Sequence, residues 1–236
     1  MTILIYIIVK KKGIMTYFAK IQRSCVNALF PDTCAVCGYH LTDNLLPICA
    51  ACMRSIRSAP IPNTVSSEFL RNISACRVYD GTIKKCIHQL KFCGKRSMTR
   101  VFCKLIRDHF YKNITNQYPV DIVLPVPISP ERRRKRGFNQ ARLIAETLPP
   151  NLRRLTSYSN LVKTRNTPPQ TGLTRKERMQ NLKDAFAIKP SFNLVNKKIL
   201  LIDDVITTGA TLDTCAKELQ NAGAGEIHGL AIARTL

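Results

Sequence analysis

Tryptophan is absent from this 236-residue chain, and Phe and Tyr bring the aromatic content to only 7%. A surface that stacks flat ligands must therefore rely on Phe or Tyr, with Tyr39, Phe92 and Phe138 as available rings. Acidic residues are scarce as well: 15 Asp and Glu stand against 37 Lys and Arg, a formal net charge of +22. No apolar run approaches the roughly 20 residues that cross a bilayer. The short run Ile3 to Val9 is followed by Lys10, Lys11 and Lys12 and has no small-residue cleavage site, unlike a secretory signal. With 45% apolar residues the chain is no disordered polyelectrolyte, and its length suits one ordinary domain or one plus a small module. The charge excess calls for an anionic partner: nucleic acid, phosphorylated metabolites or an acidic membrane surface.

The excess is not evenly spread. Residues 71–120 and 121–185 carry a net +9 each, whereas 186–236 is neutral. Arg132, Arg133, Arg134, Lys135 and Arg136 are five adjacent cations, which repel one another unless an anion lies nearby. Lys91, Lys95 and Arg96 add a second basic group. Residues 1–14 read as an extension, with Met15 as an alternative start, and 58–74 as a linker.

Four of the ten cysteines form two CxxC pairs, Cys34 with Cys37 and Cys49 with Cys52. Each turn places two thiolates where they can share one tetrahedral ion, so the two pairs predict a four-cysteine zinc site within residues 15–57. Four protein ligands leave no position for water, which makes the ion structural; it would supply about 10–16 kcal/mol of folding energy. The other cysteines, Cys25, Cys76, Cys86, Cys93, Cys103 and Cys215, lack metal spacing and read as small buried residues.

The richest stretch begins at Ile199 to Ile202, an apolar run expected of a strand buried on both faces of a parallel sheet. Asp203 and Asp204 follow at its carboxyl end, where open α/β sheets place ligands. The turn Val205, Ile206, Thr207, Thr208, Gly209, Ala210, Thr211 is small and hydroxyl-rich, and leads into a helical pattern from Leu212 to Leu219. Amides at a helix N-terminus together with Thr hydroxyls make a phosphate cradle. Two adjacent carboxylates beside it suit a vicinal diol, and diol plus phosphate specifies a ribose 5-phosphate. Upstream, Asp121 to Pro127 is a second buried strand. It leads through Arg136, Gly137, Phe138, Asn139 and Gln140 into a helix from Ala141 to Leu148.

The DDVITTGAT stretch from Asp203 to Thr211 resembles the fingerprint of type I phosphoribosyltransferases, which bind phosphoribosyl pyrophosphate (PRPP) with magnesium. The whole chain resembles the competence protein F (ComF) family, on several further motifs. These are FPxxCxxCG at Phe30 to Gly38, the second CxxC, Tyr79-Asp80-Gly81, Lys91-Phe92 and Gly94. They continue with PVP…RGFNQ and with PxQTGLxRxER…N from Pro168 to Asn181. The resemblance implies an α/β type I phosphoribosyltransferase fold over residues 75–236, joined to the N-terminal four-cysteine module.

It implies that Asp203 and Asp204 hold the ribose hydroxyls and that Val205 to Thr211 holds the 5-phosphate. Pro127, Arg136, Gln140, Arg165 and Arg178 join the PRPP site, with residues 165–178 as a loop that closes over it. It further implies handling of single-stranded DNA at the cytoplasmic face of the membrane, alongside a DNA-uptake helicase or channel proteins. Arg132, Arg133, Arg134, Lys135, Lys91, Lys95 and Arg96 are the candidate DNA contacts. The alternative is an active transferase acting on a nucleobase or amine.

Overall fold

A computed structural model describes residues 32–42, 45–113, 120–167 and 175–236. The alternative start at Met15, Cys25, and the 168–174 part of the expected closing loop lie outside them, as does the side chain of Arg178. In chain order the elements begin with α1 (Ala50–Ser58), β1 (Asn72–Val78) and α2 (Gly81–Cys93). After a short 3-10 turn at Arg96–Met98 come α3 (Thr99–Asn113), β2 (Ile122–Pro125), α4 (Pro130–Arg136), α5 (Gln140–Ala145) and α6 (Pro150–Arg153). The rest is β3 (Leu161–Lys163), α7 (Arg175–Leu182), β4 (Phe186–Ile188), β5 (Ile199–Ile206), α8 (Ala210–Asn221) and β6 (Ile227–Arg234).

Four strands form one parallel sheet in the order β1-β6-β5-β2, so all four carboxyl ends lie on one side. β3 and β4 form a separate antiparallel pair. The molecule is therefore α/β, with a four-stranded parallel sheet flanked by helices and a four-cysteine cluster near its N-terminal side.

Alternation along the strands divides the core into two layers. Leu200 and Ile202 face the layer built by α2 and α3, with Ile87, Leu90, Phe102 and Leu105. Ile199 and Leu201 face the layer that holds Leu161, Phe186, Leu212, Cys215 and Leu219. Each fully buried aliphatic side chain contributes roughly 1.5–3 kcal/mol, so the two layers, not local propensity, hold the sheet.

The sequence pattern ends the β5 strand at Ile202; the structure carries it on to Ile206. β6 explains the difference, because it keeps pairing with β5 through Asp203↔Ala231, Val205↔Ala233 and Ile206↔Arg234. β2 stops opposite Ile202, at Pro125, and its last bond to β5 is the Val126 N–H donating to the Ile202 carbonyl at 2.9 Å. The last four residues of β5 thus project past the end of β2, and the carboxyl end of such a parallel strand is where open α/β sheets form a ligand crevice.

The cysteine lobe packs directly on the sheet layer. Cys34, Ile48, Cys52, Met53 and Ile56 belong to the same buried cluster as α2 and α3. Arg57 forks onto Asp108 of α3, with Nε and Nη2 donating to Oδ2 at 3.0 and 2.7 Å. Buried Arg77 of β1 donates from Nε to the Ile56 carbonyl at 2.8 Å. β1 begins at Asn72, and Val65 bridges to Ile73, so sheet structure starts inside the span read as a linker.

Candidate functional site

Asp203 and Asp204 stand where β5 outruns β2, and successive residues on a strand point to opposite faces. Asp204 is 8% exposed and faces α2, where Lys91 Nζ donates to its Oδ1 at 2.7 Å. Asp203 faces the other layer, and its Oδ1 accepts the Asp204 backbone N–H at 2.8 Å. Burial, and then the Asp204 carboxylate, push Asp203 up to about 7, while Lys91 and Lys163 oppose the shift.

Cations from three elements converge on this pair. Lys91 comes from the last turn of α2. Arg136 ends α4 and interacts electrostatically with Asp204, although burial lowers its own proton affinity. Lys163 ends β3, is 8% exposed, and donates from Nζ to Thr167 Oγ1 at 2.9 Å. Burial, with Arg132 next, pulls Lys163 down to about 8, and Asp203 partly restores it. The crevice thus pairs two carboxylates with a larger set of cations, an environment that welcomes a further anion.

Arg136 also fixes Gln140. Its Nη1 donates to Gln140 Oε1 at 2.8 Å, and the Gln140 Nε2 finds no hydrogen-bond partner among the described residues although the side chain is 2% exposed. A buried amide donor left unpaired costs free energy unless a ligand meets it. Asn139 caps α5, its Oδ1 accepting from Ala141 N at 2.9 Å while its Nδ2 donates to the Val126 carbonyl at 2.9 Å. That double bond pins the start of α5 to the end of the β2 segment, beside Pro127.

The phosphate-type turn runs from Thr207 to Gly209 into α8. Gly209 sits at φ +80° as the residue before the helix, a conformation open chiefly to glycine. Thr207 is exposed, Thr208 half-buried, and the first-turn amides of α8 follow directly. The start of the loop is anchored by the residue after β6, where Thr235 N donates to the Ile206 carbonyl at 3.0 Å.

The five adjacent cations lie on the short helix α4. Ser129 caps it by accepting from Arg132 N, Pro130 starts it, and Gly137 at φ +78° stops it. Four of the cations fall in its last turn, where they meet the negative end of the helix dipole. Arg133, Arg134 and Lys135 are exposed, as are Lys95 and Arg96, while Arg132 and Arg136 are half-buried, Arg132 Nη2 donating to the Thr167 carbonyl at 3.4 Å. Arg165 donates from Nη2 to the carbonyls of Asn181 and Lys183 at 3.1 and 2.6 Å, which ties the segment after β3 to the end of α7.

The four cysteines of the CxxC pairs come together, with all four Sγ atoms within 4.8 Å of one another. Cys34 lies 3.7 Å from Cys52, and Cys37 lies 3.7 Å from Cys49. A tetrahedral zinc with bonds of about 2.3 Å requires sulfur separations of about 3.8 Å, so the cluster could hold a metal such as zinc.

Two contributors escape a linear reading. Lys91 belongs to a basic segment far from the acid pair in the chain, and Lys163 to a three-residue strand. The Leu161 to Lys163 and Phe186 to Ile188 segments are too short for a period to show. A Lys closing the apolar pair Leu161-Val162 just before a polar Pro/Gly loop was the available signal for Lys163.

No protein-family model matches the chain. Among curated proteins it is 30% identical over 223 aligned positions to competence protein F of Haemophilus influenzae, covering 83% of this chain and 93% of that one. It is 28% identical over 206 positions to the DNA utilization protein YhgH of Escherichia coli K12, covering 86% and 84%. It is 27% identical over 201 positions to the competence protein ComFC of Streptococcus pneumoniae, covering 79% and 86%.

Proposed function

The chain belongs to the competence protein F family, and on that footing we propose that it acts in DNA uptake, binding PRPP with magnesium in the crevice and single-stranded DNA across its basic rim. The observation that carries the reading is the convergence of Lys91 and Arg136 on Asp204 beside the Gly209 turn. The turn and the α8 amides take the 5-phosphate, and the acid pair, astride the end of β5, takes the ribose hydroxyls. Arg136, Arg132 and the Gln140 amide take the pyrophosphate, since guanidinium groups match phosphate oxygens bidentately. Asp203 and Asp204 are the hard oxygen donors that would hold magnesium brought by the ligand, which would neutralise part of the pyrophosphate charge.

Zinc in the cysteine cluster is structural, because all four positions come from protein thiolates. The exposed cations Arg133, Arg134, Lys135, Lys95 and Arg96 take DNA phosphates. Among the described residues no helix is long and apolar enough to cross a membrane. The expected place of work is the inner face of the cytoplasmic membrane, with uptake helicase or channel proteins as partners.

The test is thermal unfolding with and without PRPP and magnesium. Ligand should raise the melting temperature, and the double variant Asp203→Ala, Asp204→Ala should lose that rise; a rise that survives refutes the ribose assignment. The crevice cations would also stabilise a departing pyrophosphate, which is the observation that keeps transferase activity in play. Pyrophosphate release across a panel of nucleobases and amines separates the two readings.

A further inference from the structure

Phe92 lies at the end of α2 with 67% of its surface exposed. Single exposed phenyl groups are ordinary on protein surfaces, but this one has an imidazole and a guanidinium as neighbours and still keeps most of its surface open. The His88 ring, one turn earlier, is 4.7 Å away by centroids and tilted by 41°. The Arg136 guanidinium carbon lies 5.6 Å from the ring centre. On one side in sequence, Lys91 turns inward to Asp204 at 2.7 Å. On the other, the Arg96 guanidinium covers Phe138 at 5.0 Å and donates to the Gly137 carbonyl at 3.4 Å. The two basic groups, 91–96 and 132–136, thus meet around one aromatic ring at the lip of the acid-pair crevice.

Flat ring, imidazole and guanidinium offer three partners for a planar base, and the flanking cations offer partners for its phosphates. That combination suits an unpaired strand. Duplex DNA keeps the faces of its bases stacked inside, whereas single strands gain by stacking on an aromatic side chain. Resting on the DNA-handling reading above, we propose that Phe92, with His88 and Arg136, is a stacking platform for one base of single-stranded DNA, which lays the strand across the mouth of the crevice.

The absence of tryptophan supplies the experiment. Phe92→Trp places the sole indole of the chain on the platform, and a short oligothymidylate should quench its fluorescence saturably. Phe92→Leu should weaken oligothymidylate binding about fivefold or more, the scale of one stacked base. Phe92→Trp should retain that affinity. The slope of log affinity against log salt should stay unchanged in Phe92→Leu, because no phosphate contact is lost. Unaltered melting temperatures would show that both variants fold, as the exposure of Phe92 leads one to expect.

Equal affinity of Phe92→Leu and wild type overturns the platform alone. So does quenching by free thymidine monophosphate with none by the oligonucleotide, which would mark a pocket for a small acceptor. A wild-type protein that binds no oligothymidylate overturns the DNA-handling reading and the platform with it.

Discussion

Lys91 Nζ lies 2.7 Å from Asp204 Oδ1, joining the last turn of α2 to the end of β5 across 113 positions of sequence. The contact closes one wall of the crevice and holds α2 against the sheet edge where β2 has already ended. Both side chains are mostly shielded, with 22% and 11% exposed for Lys91 and Asp204, so the pair is harder to replace with water than a surface ion pair.

Lys91→Met should therefore destabilise the protein by about 1–3 kcal/mol, because it leaves a buried carboxylate without its partner. Asp204→Asn added to it should recover much of the loss, since the orphan charge is gone. Urea unfolding of the two single variants and the double variant measures the coupling. Additive losses would show that the contact carries no energy of its own.

How much of this was legible in the chain depends on whether the chemistry is contiguous. The Asp203 to Thr211 stretch and the two CxxC pairs declare themselves because strand, acids, turn and ligands follow one another within a few residues. Lys91 does not, because only the parallel order β1-β6-β5-β2 brings the end of α2 over β5. Counting charge by segment sets residues 71–120 apart from the phosphate-type turn, yet one of their lysines lies on the acid pair itself. The packing of Arg165 is equally hidden in the chain: only the fold brings its Nη2 within reach of the Asn181 and Lys183 carbonyls.

Gln140 should show a trade between stability and binding. Its Nε2 is buried without a partner among the described residues, so Gln140→Leu removes a desolvated donor and should leave stability equal or higher. The same change also frees Arg136 from the Gln140 Oε1 and removes the amide offered to the ligand. The melting-temperature rise caused by PRPP and magnesium should shrink. A variant that is less stable and binds ligand normally would make Gln140 a packing residue only.

Metal removal should destabilise the whole molecule and not a detached lobe. Cys34, Cys52 and Ile56 lie in one buried cluster with Phe102 and Leu105 of α3, and Arg57 is tied to Asp108. Freshly purified protein should contain about one zinc per chain. Chelation, or Cys52→Ser, should lower the temperature of a single cooperative transition. Two separated transitions after chelation would show a lobe that melts independently; absence of metal in native protein would refute the four-thiolate site.

The acid pair gives a pH dependence with a definite sign. Asp203 has an ordinary value of 3.8 and is pushed up to about 7 in the folded chain, chiefly by burial. Between about pH 4 and pH 7 the native state holds a proton that the unfolded chain has released. Stability must then fall as pH rises through that window, and level off above it. Asp203→Asn lacks this slope, so the variant should gain on wild type between pH 5 and pH 7.5 in urea midpoints. Lys163 does not confuse the comparison, because its folded value near 8 and ordinary value of 10.5 place its effect at higher pH. If the difference between wild type and variant instead stays constant over the same interval, Asp203 is ionised throughout, and the cations of the crevice outweigh the cost of burying it.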